Sequence, residues 1–126
     1  MNPWYVRSVF FVSDIEKAID FYRGSLGFSL DWNHQENGRG LVCQVSRPGL
    51  ELILAIDETR AGRGRVFISI DQEQERALRR ELAEKGIEVR ESWWGMPTVE
   101  VLDPDENELL FSPPAAGTEN PDHPEQ

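Results

Sequence analysis

Residues 9–32 read VFFVSDIEKAIDFYRGSLGFSLDW, from Val9 to Trp32. This is an apolar strand closed by an aspartate, an acidic helix start, a helix, a glycine and a new strand. The same order returns in Val66 to Trp93, VFISIDQEQERALRRELAEKGIEVRESW. Laid over one another, Val9-Phe10 meets Val66-Phe67 and Asp14 meets Asp71. Gly27 meets Gly86 after a slip, and Trp32 meets Trp93. A self-match of this kind indicates two similar modules in one chain, each built from strand, helix and further strands.

The chain between and around these stretches completes each module. Trp4 to Val12 is rich in Trp, Tyr, Val and Phe and predicts a strand. Ser13, with Glu16 three residues on, has the pattern of a capping box. Ile15, Ala18, Ile19, Tyr22 and Leu26 recur at helical spacing and predict one buried face. Phe28, Leu30 and Trp32 alternate with Ser29 and Asp31, which predicts a strand with one apolar face. Asn37-Gly38 predicts a tight hairpin into Gly40–Ser46, and Leu50–Ile56 is a further strand. In the second copy Gln72–Lys85 is helical, and Glu75–Arg79 and Glu81–Lys85 pairs favour a solvated outer face. Strands follow at Ile87 to Trp93, Thr98–Leu102 and Glu108–Phe111. The organisation is thus a first βαβββ module over 1–56, a linker over 57–64 and a second βαβββ module over 65–112. An acidic, Pro-rich tail over 113–126 has no apolar period and reads as disordered. The fold class is α+β.

Composition limits the function. The chain of 126 residues has a formal net charge of −10, with 23 acids against 13 Lys and Arg. Glu119, Asp122 and Glu125 of the tail account for only part of it. Such a surface repels nucleic acid and anionic membranes and tolerates a cationic ligand. The one cysteine, Cys43, excludes an internal disulfide, and its apolar surroundings predict a small buried core residue. No signal peptide or long apolar run is present, so the expected location is cytoplasmic. No Ser-His-Asp or Cys-His arrangement and no glycine-rich phosphate loop can be assembled.

The stretch Val12 to Phe28, VSDIEKAIDFYRGSLGF, resembles the opening of the vicinal-oxygen-chelate superfamily of glyoxalases, bleomycin resistance proteins and extradiol dioxygenases. Trp94-Gly95-Met96, followed by Val101 to Asn107, VLDPDEN, resembles its closing hairpin and in particular the bleomycin-resistance branch. The resemblance covers about residues 4–113. It departs at Glu106, where the family usually has glycine. It implies that the paired modules form an open curved barrel, and that two chains form a homodimer whose clefts both chains line.

Enzymes of this superfamily hold a divalent metal with His and Glu side chains. Carried over one position at a time, the ligand positions fall on Arg7, Glu51, Arg65 and Leu110. An arginine has no lone pair to offer a metal, and a leucine has no donor atom. The resemblance therefore implies no metal and no other cofactor. His34 lies off the register of the ligand positions. Arg7 and Arg65, projecting toward Glu51, are expected to fill the old metal centre with an Arg–Glu–Arg ion cluster.

A cleft without metal suggests binding. Trp32, Trp93 and Trp94 lie on or beside strands that line the cleft in this family, and Phe28 is near in sequence. Flat aromatic walls stack on heteroaromatic ligands and attract cations. Neighbours in a strand face opposite ways, so only one of Trp93 and Trp94 lines the cleft, and Trp94 is favoured. The expected ligand-binding residues are Phe28, Trp32, His34, Glu51 and Trp94, with no catalytic residue. The reading is a metal-independent binding protein that sequesters a small molecule, with antibiotic resistance as the role. Its alternatives are a glyoxalase-like lyase, isomerase or dioxygenase with His34 and Glu51 as acid–base pair, and a non-binding structural or interaction dimer.

Overall fold

The computed structural model describes residues 2–113. The tail expected over 113–126 lies outside the described residues apart from Pro113. The first module comprises β1 (Ser8–Val12), α1 (Ile15–Ile19), β2 (Ser29–Glu36), β3 (Arg39–Arg47) and β4 (Leu50–Ile56). The second comprises β5 (Arg65–Ser69), α2 (Gln72–Glu84), β6 (Arg90–Trp93), β7 (Pro97–Leu102) and β8 (Glu108–Ser112). Each forms a four-stranded sheet, in order β1-β4-β3-β2 and β5-β8-β7-β6. In both, the first strand runs parallel to the last and the other pairings are antiparallel. The doubled βαβββ plan read from the self-match is the plan of the molecule, and the sheets stay unclosed.

Local chemistry accounts for the element ends, with one change from expectation. Asp14 and Asp71, the matched aspartates, cap the two helices: each carboxylate accepts a backbone N–H, from Lys17 and Gln74 respectively. Asp71 and Gln74 complete a capping box. In the first module Ser13 does not cap the helix. Its hydroxyl and its N–H both donate to Asp105, at 2.6 and 3.1 Å, so the expected Ser13–Glu16 box gives way to a bond between modules. Helix α1 widens into a π-helical turn over Asp20–Ser25, with Leu26 N–H donating to Phe21 O. Asn37 and Gly38 both have positive φ, 54° and 75°, as a two-residue hairpin requires. The Glu75–Arg79 ion pair forms at 2.9 Å and Arg79 reaches on to Glu91. Lys85 donates instead to the carbonyl of Gly24, across the modules.

One face of each sheet is covered by helix. Phe10, Val12, Cys43, Val45, Leu52 and Leu54 pack with Ile15, Ala18, Ile19 and Tyr22. The same cluster runs on through Leu78, Leu82, Val99, Val101, Leu109 and Phe111. The core is thus continuous across both modules. Cys43 is fully buried there, and burial pushes its thiol up to about 11.

The polar link between the modules is the turn Asp103–Asn107. The buried Asp103 carboxylate accepts from the Tyr22 hydroxyl at 2.9 Å, from Asn107 Nδ2 and from the N–H groups of Asp105 and Asn107. Burial raises Asp103 above the ordinary carboxyl range against these bonds, and it raises Tyr22 too. Asn107 also donates to Phe11 O and accepts from the Gly64 N–H. At Gly64 a Cβ would stand 2.6 Å from the Phe10 ring, so the approach needs glycine. Glu106 takes φ +75°, the left-handed conformation in which a side chain is strained.

Two substitutions in this turn are expected to act in opposite directions. Asn107→Ala removes buried partners from both modules and should lower unfolding free energy by about 2–4 kcal/mol in urea. Glu106→Gly relieves strain at an exposed position and should raise it by about 0.5–1 kcal/mol. A cost below about 0.5 kcal/mol for Asn107→Ala would show that the turn does not hold the modules together.

Candidate functional site

The strand faces turned away from the helices carry the candidate site. In the first sheet the register sets Val9 beside Ile53 and Phe11 beside Ala55, with Gln44 and Trp32 on the neighbouring strands and Glu51 beside Ser46. Side chains alternate along a strand, so these lie opposite the buried Phe10, Leu52, Leu54 and Val45. Trp32 arrives there through a bulge. The register slips between Leu30 and Trp32, so Leu30 faces the core with Val45 while Trp32 pairs with Gln44 on the open face. The single apolar face expected for Phe28, Leu30 and Trp32 is therefore divided. Phe28 is also placed differently: it lies in the core, 3 % exposed, edge-on to Tyr22 at 5.4 Å. Trp32 keeps 40 % of its surface exposed.

Polar groups thread this face. Arg7 Nη1 donates to Gln44 Oε1 at 2.7 Å, and Gln44 Nε2 donates to Asp31 Oδ2 at 3.0 Å. Ser46 donates to the other Asp31 oxygen. Gln44 thus links the Arg7 guanidinium to the Asp31 carboxylate across β3. Glu51 is left out of this chain, and its Oε1 is buried without a hydrogen-bond partner. His34 pairs with exposed Glu36 at 3.2 Å and not with Glu51, so the two are not joined as an acid–base pair.

In the second sheet the open face carries Arg65 beside Glu108 and Phe67 beside Leu110. The chain after β6 folds back over it. Trp94 N–H donates to Met96 O, and the Trp94 ring stands edge-on to Phe67 at 5.7 Å. The Arg65 guanidinium lies 5.5 Å from the Trp94 ring, and its Nε meets Glu108 Oε1 at 3.1 Å. Trp93 stands away from this group at 72 % exposure. Phe67 and Glu108 were not singled out from sequence. The strand alternation that buries Val66 and Ile68 places Phe67 on the open face and was the signal available.

The four positions that the resemblance assigns to metal ligands do not fit a metal. Arg7 and Arg65 carry no lone pair, Leu110 is a buried hydrocarbon, and Glu51 alone cannot complete a coordination shell. Among the described residues no group of three or more His, Cys, Asp or Glu is gathered for one. The Arg–Glu–Arg cluster is not formed either, because Arg7 binds Gln44, Arg65 binds Glu108 and Glu51 Oε1 binds neither. Each arginine found a nearer partner on its own sheet.

A family model described as a glyoxalase superfamily protein matches residues 5–118. The chain belongs to the glyoxalase superfamily. No curated protein matches it. Among solved structures it is similar to an antibiotic binding protein from Streptomyces sp. CB03234, TnmS3, with 24% identity and TM-score 0.64, covering 91% of this chain and 100% of that one. A bleomycin-binding protein from Streptomyces verticillus, complexed with copper(II)-bleomycin, matches at 20% identity and TM-score 0.70, covering 90% and 98%. A lactoylglutathione lyase from Agrobacterium tumefaciens matches at 16% identity and TM-score 0.69, covering 90% and 96%. At these identities the likeness is one of fold, and the fold serves both binding and catalysis.

Glu51→Gln separates the two pictures of the open face. With Oε1 unpartnered, the amide should leave unfolding free energy within about 0.5 kcal/mol of the parent or raise it. A loss of about 2 kcal/mol or more would show that Glu51 is held by charge in solution.

Proposed function

We propose that this protein is a metal-independent binder that sequesters an aromatic or apolar small molecule, cationic ones included, such as a bleomycin-type antibiotic. The observation that carries this reading is the open face itself. The first sheet presents exposed Trp32 there and the second presents exposed Phe67 and Trp94, while the unpartnered Glu51 oxygen is buried behind the first face. Aromatic faces supply stacking area at low entropic cost and attract cations. A resistance role in the cytoplasm follows from this reading.

A homodimer belongs to the same proposal. Val9, Trp32, Phe67 and Trp94 each expose 40 % or more of their surface. A second copy would bring an open face of one module over that of the other module, closing two clefts between chains. Among the described residues no helix is long and apolar enough to cross a membrane. The acidic surface disfavours nucleic acid.

The test is a fluorescence titration of chelator-treated protein with bleomycin and other aromatic antibiotics, paired with sedimentation velocity. A saturable change in tryptophan emission is expected from a dimer. Trp94→Ala and Trp32→Ala should each weaken binding about tenfold, and Trp93→Ala should not. Absence of saturable binding to any of these compounds would overturn the reading. The likeness to a lactoylglutathione lyase makes metal titration the companion experiment. One tightly held divalent ion per chain, with turnover of a glutathione hemithioacetal, would establish the enzyme instead.

A further inference from the structure

A crevice of about 320 Å³ lies on the helix-covered side of the sheets, where the two modules meet. Its lining comes from the segment just before β2, the β3–β4 turn, β5 and one face of α2, and it includes none of Trp32, Glu51 and Trp94. The floor is apolar, with Phe28, Leu50, Ile68, Ala77 and Leu78, and Arg47 stands among them. The volume falls at the lower end of ligand-pocket sizes, enough for a one- or two-ring body.

Arg47 decides what such a body must carry. Its Nη1 donates to Leu26 O at 2.9 Å and lies 3.9 Å from Glu81 Oε1. Among the described residues Nε and Nη2 donate to nothing. Those two N–H groups form the edge of a guanidinium that matches a carboxylate with two parallel bonds. The Glu81 contact is long and half-exposed, so it offsets little of that demand. The Leu26 carbonyl bond meanwhile holds the arginine in place, which lowers the entropic cost of capture.

We propose that this crevice is a second binding site, separate from the open faces, for a small apolar carboxylate: an aromatic or branched hydrocarbon body seated on Phe28, Leu50 and Ala77, with its carboxylate on the free edge of Arg47. The site joins both modules, since Arg47 and Leu50 come from the first and Ala77 and Ile68 from the second. A ligand here stabilises their docking by mass action, because the separated modules do not present it.

The experiment uses the full chain and two probes of one shape, 2-naphthoate and the neutral 2-naphthamide, followed by amide chemical shifts. With 2-naphthoate, saturable shifts are expected at Leu50, Ile70 and Ala77. Arg47→Gln should weaken naphthoate about tenfold or more and leave naphthamide unchanged. Glu81→Gln removes the competing anion and should tighten naphthoate about twofold to fivefold. Ala77→Phe fills the floor and should abolish binding of both probes. Trp94→Ala should change neither, so failure of the open-face reading leaves this result intact. No shift at these residues up to about millimolar naphthoate would overturn the proposal. So would equal affinity of parent and Arg47→Gln, or shifts that follow Trp94→Ala. The spectra themselves report whether each variant is folded.

Discussion

The buried carboxylate of Asp103 is the constraint around which the molecule is assembled. It bears a desolvation cost and is kept in place by donors that come from both modules: the Tyr22 hydroxyl, the Asn107 side chain and two backbone N–H groups of its own turn. Asn107 extends the network to Phe11 and Gly64. Ser13, freed from capping, adds two bonds to Asp105. A hydrophobic core alone is non-directional and would allow one module to slide over the other. Donors converging on one carboxylate have fixed directions, so they select a single docking of the two sheets.

With docking set on the helix side, the opposite faces of the sheets are left to function. Their chemistry follows from the partner that each charged side chain finds on its own sheet. Arginines stand at the starts of β1 and β5, and each is held within its own sheet: Arg7 by Gln44, which also binds Asp31, and Arg65 by Glu108. Leu110 forms part of an apolar floor next to Phe67. What remains exposed is aromatic surface, while the unpartnered Glu51 oxygen is buried.

Sequence pattern revealed the doubled modules, both helices and the hairpin at Asn37-Gly38, because each rests on local rules: period, cap and positive φ. It failed where a distant partner competed. Ser13 has the composition of a cap, yet Asp105, far along the chain, takes its hydroxyl. Strict alternation put Phe28, Leu30 and Trp32 on one face, but the bulge before Trp32 inserts a residue and reverses the side for the rest of β2. Phe28, just outside the strand, joined Tyr22 in the core. The Arg–Glu–Arg cluster was inferred from projection alone, and projection does not say which acceptor lies nearest. Phe67 was legible from alternation alone, since Val66 and Ile68 on either side of it pack against the core.

The Tyr22 hydroxyl sets an order of events during synthesis. Its acceptor, Asp103, emerges from the ribosome long after the first sheet has all its strands, and β5 likewise waits for β8. Until then a folded first module would enclose a phenol with no acceptor, or leave that helix loosely seated and wet. The first module is therefore satisfied only once the second supplies its acceptor, so the two halves finish folding together.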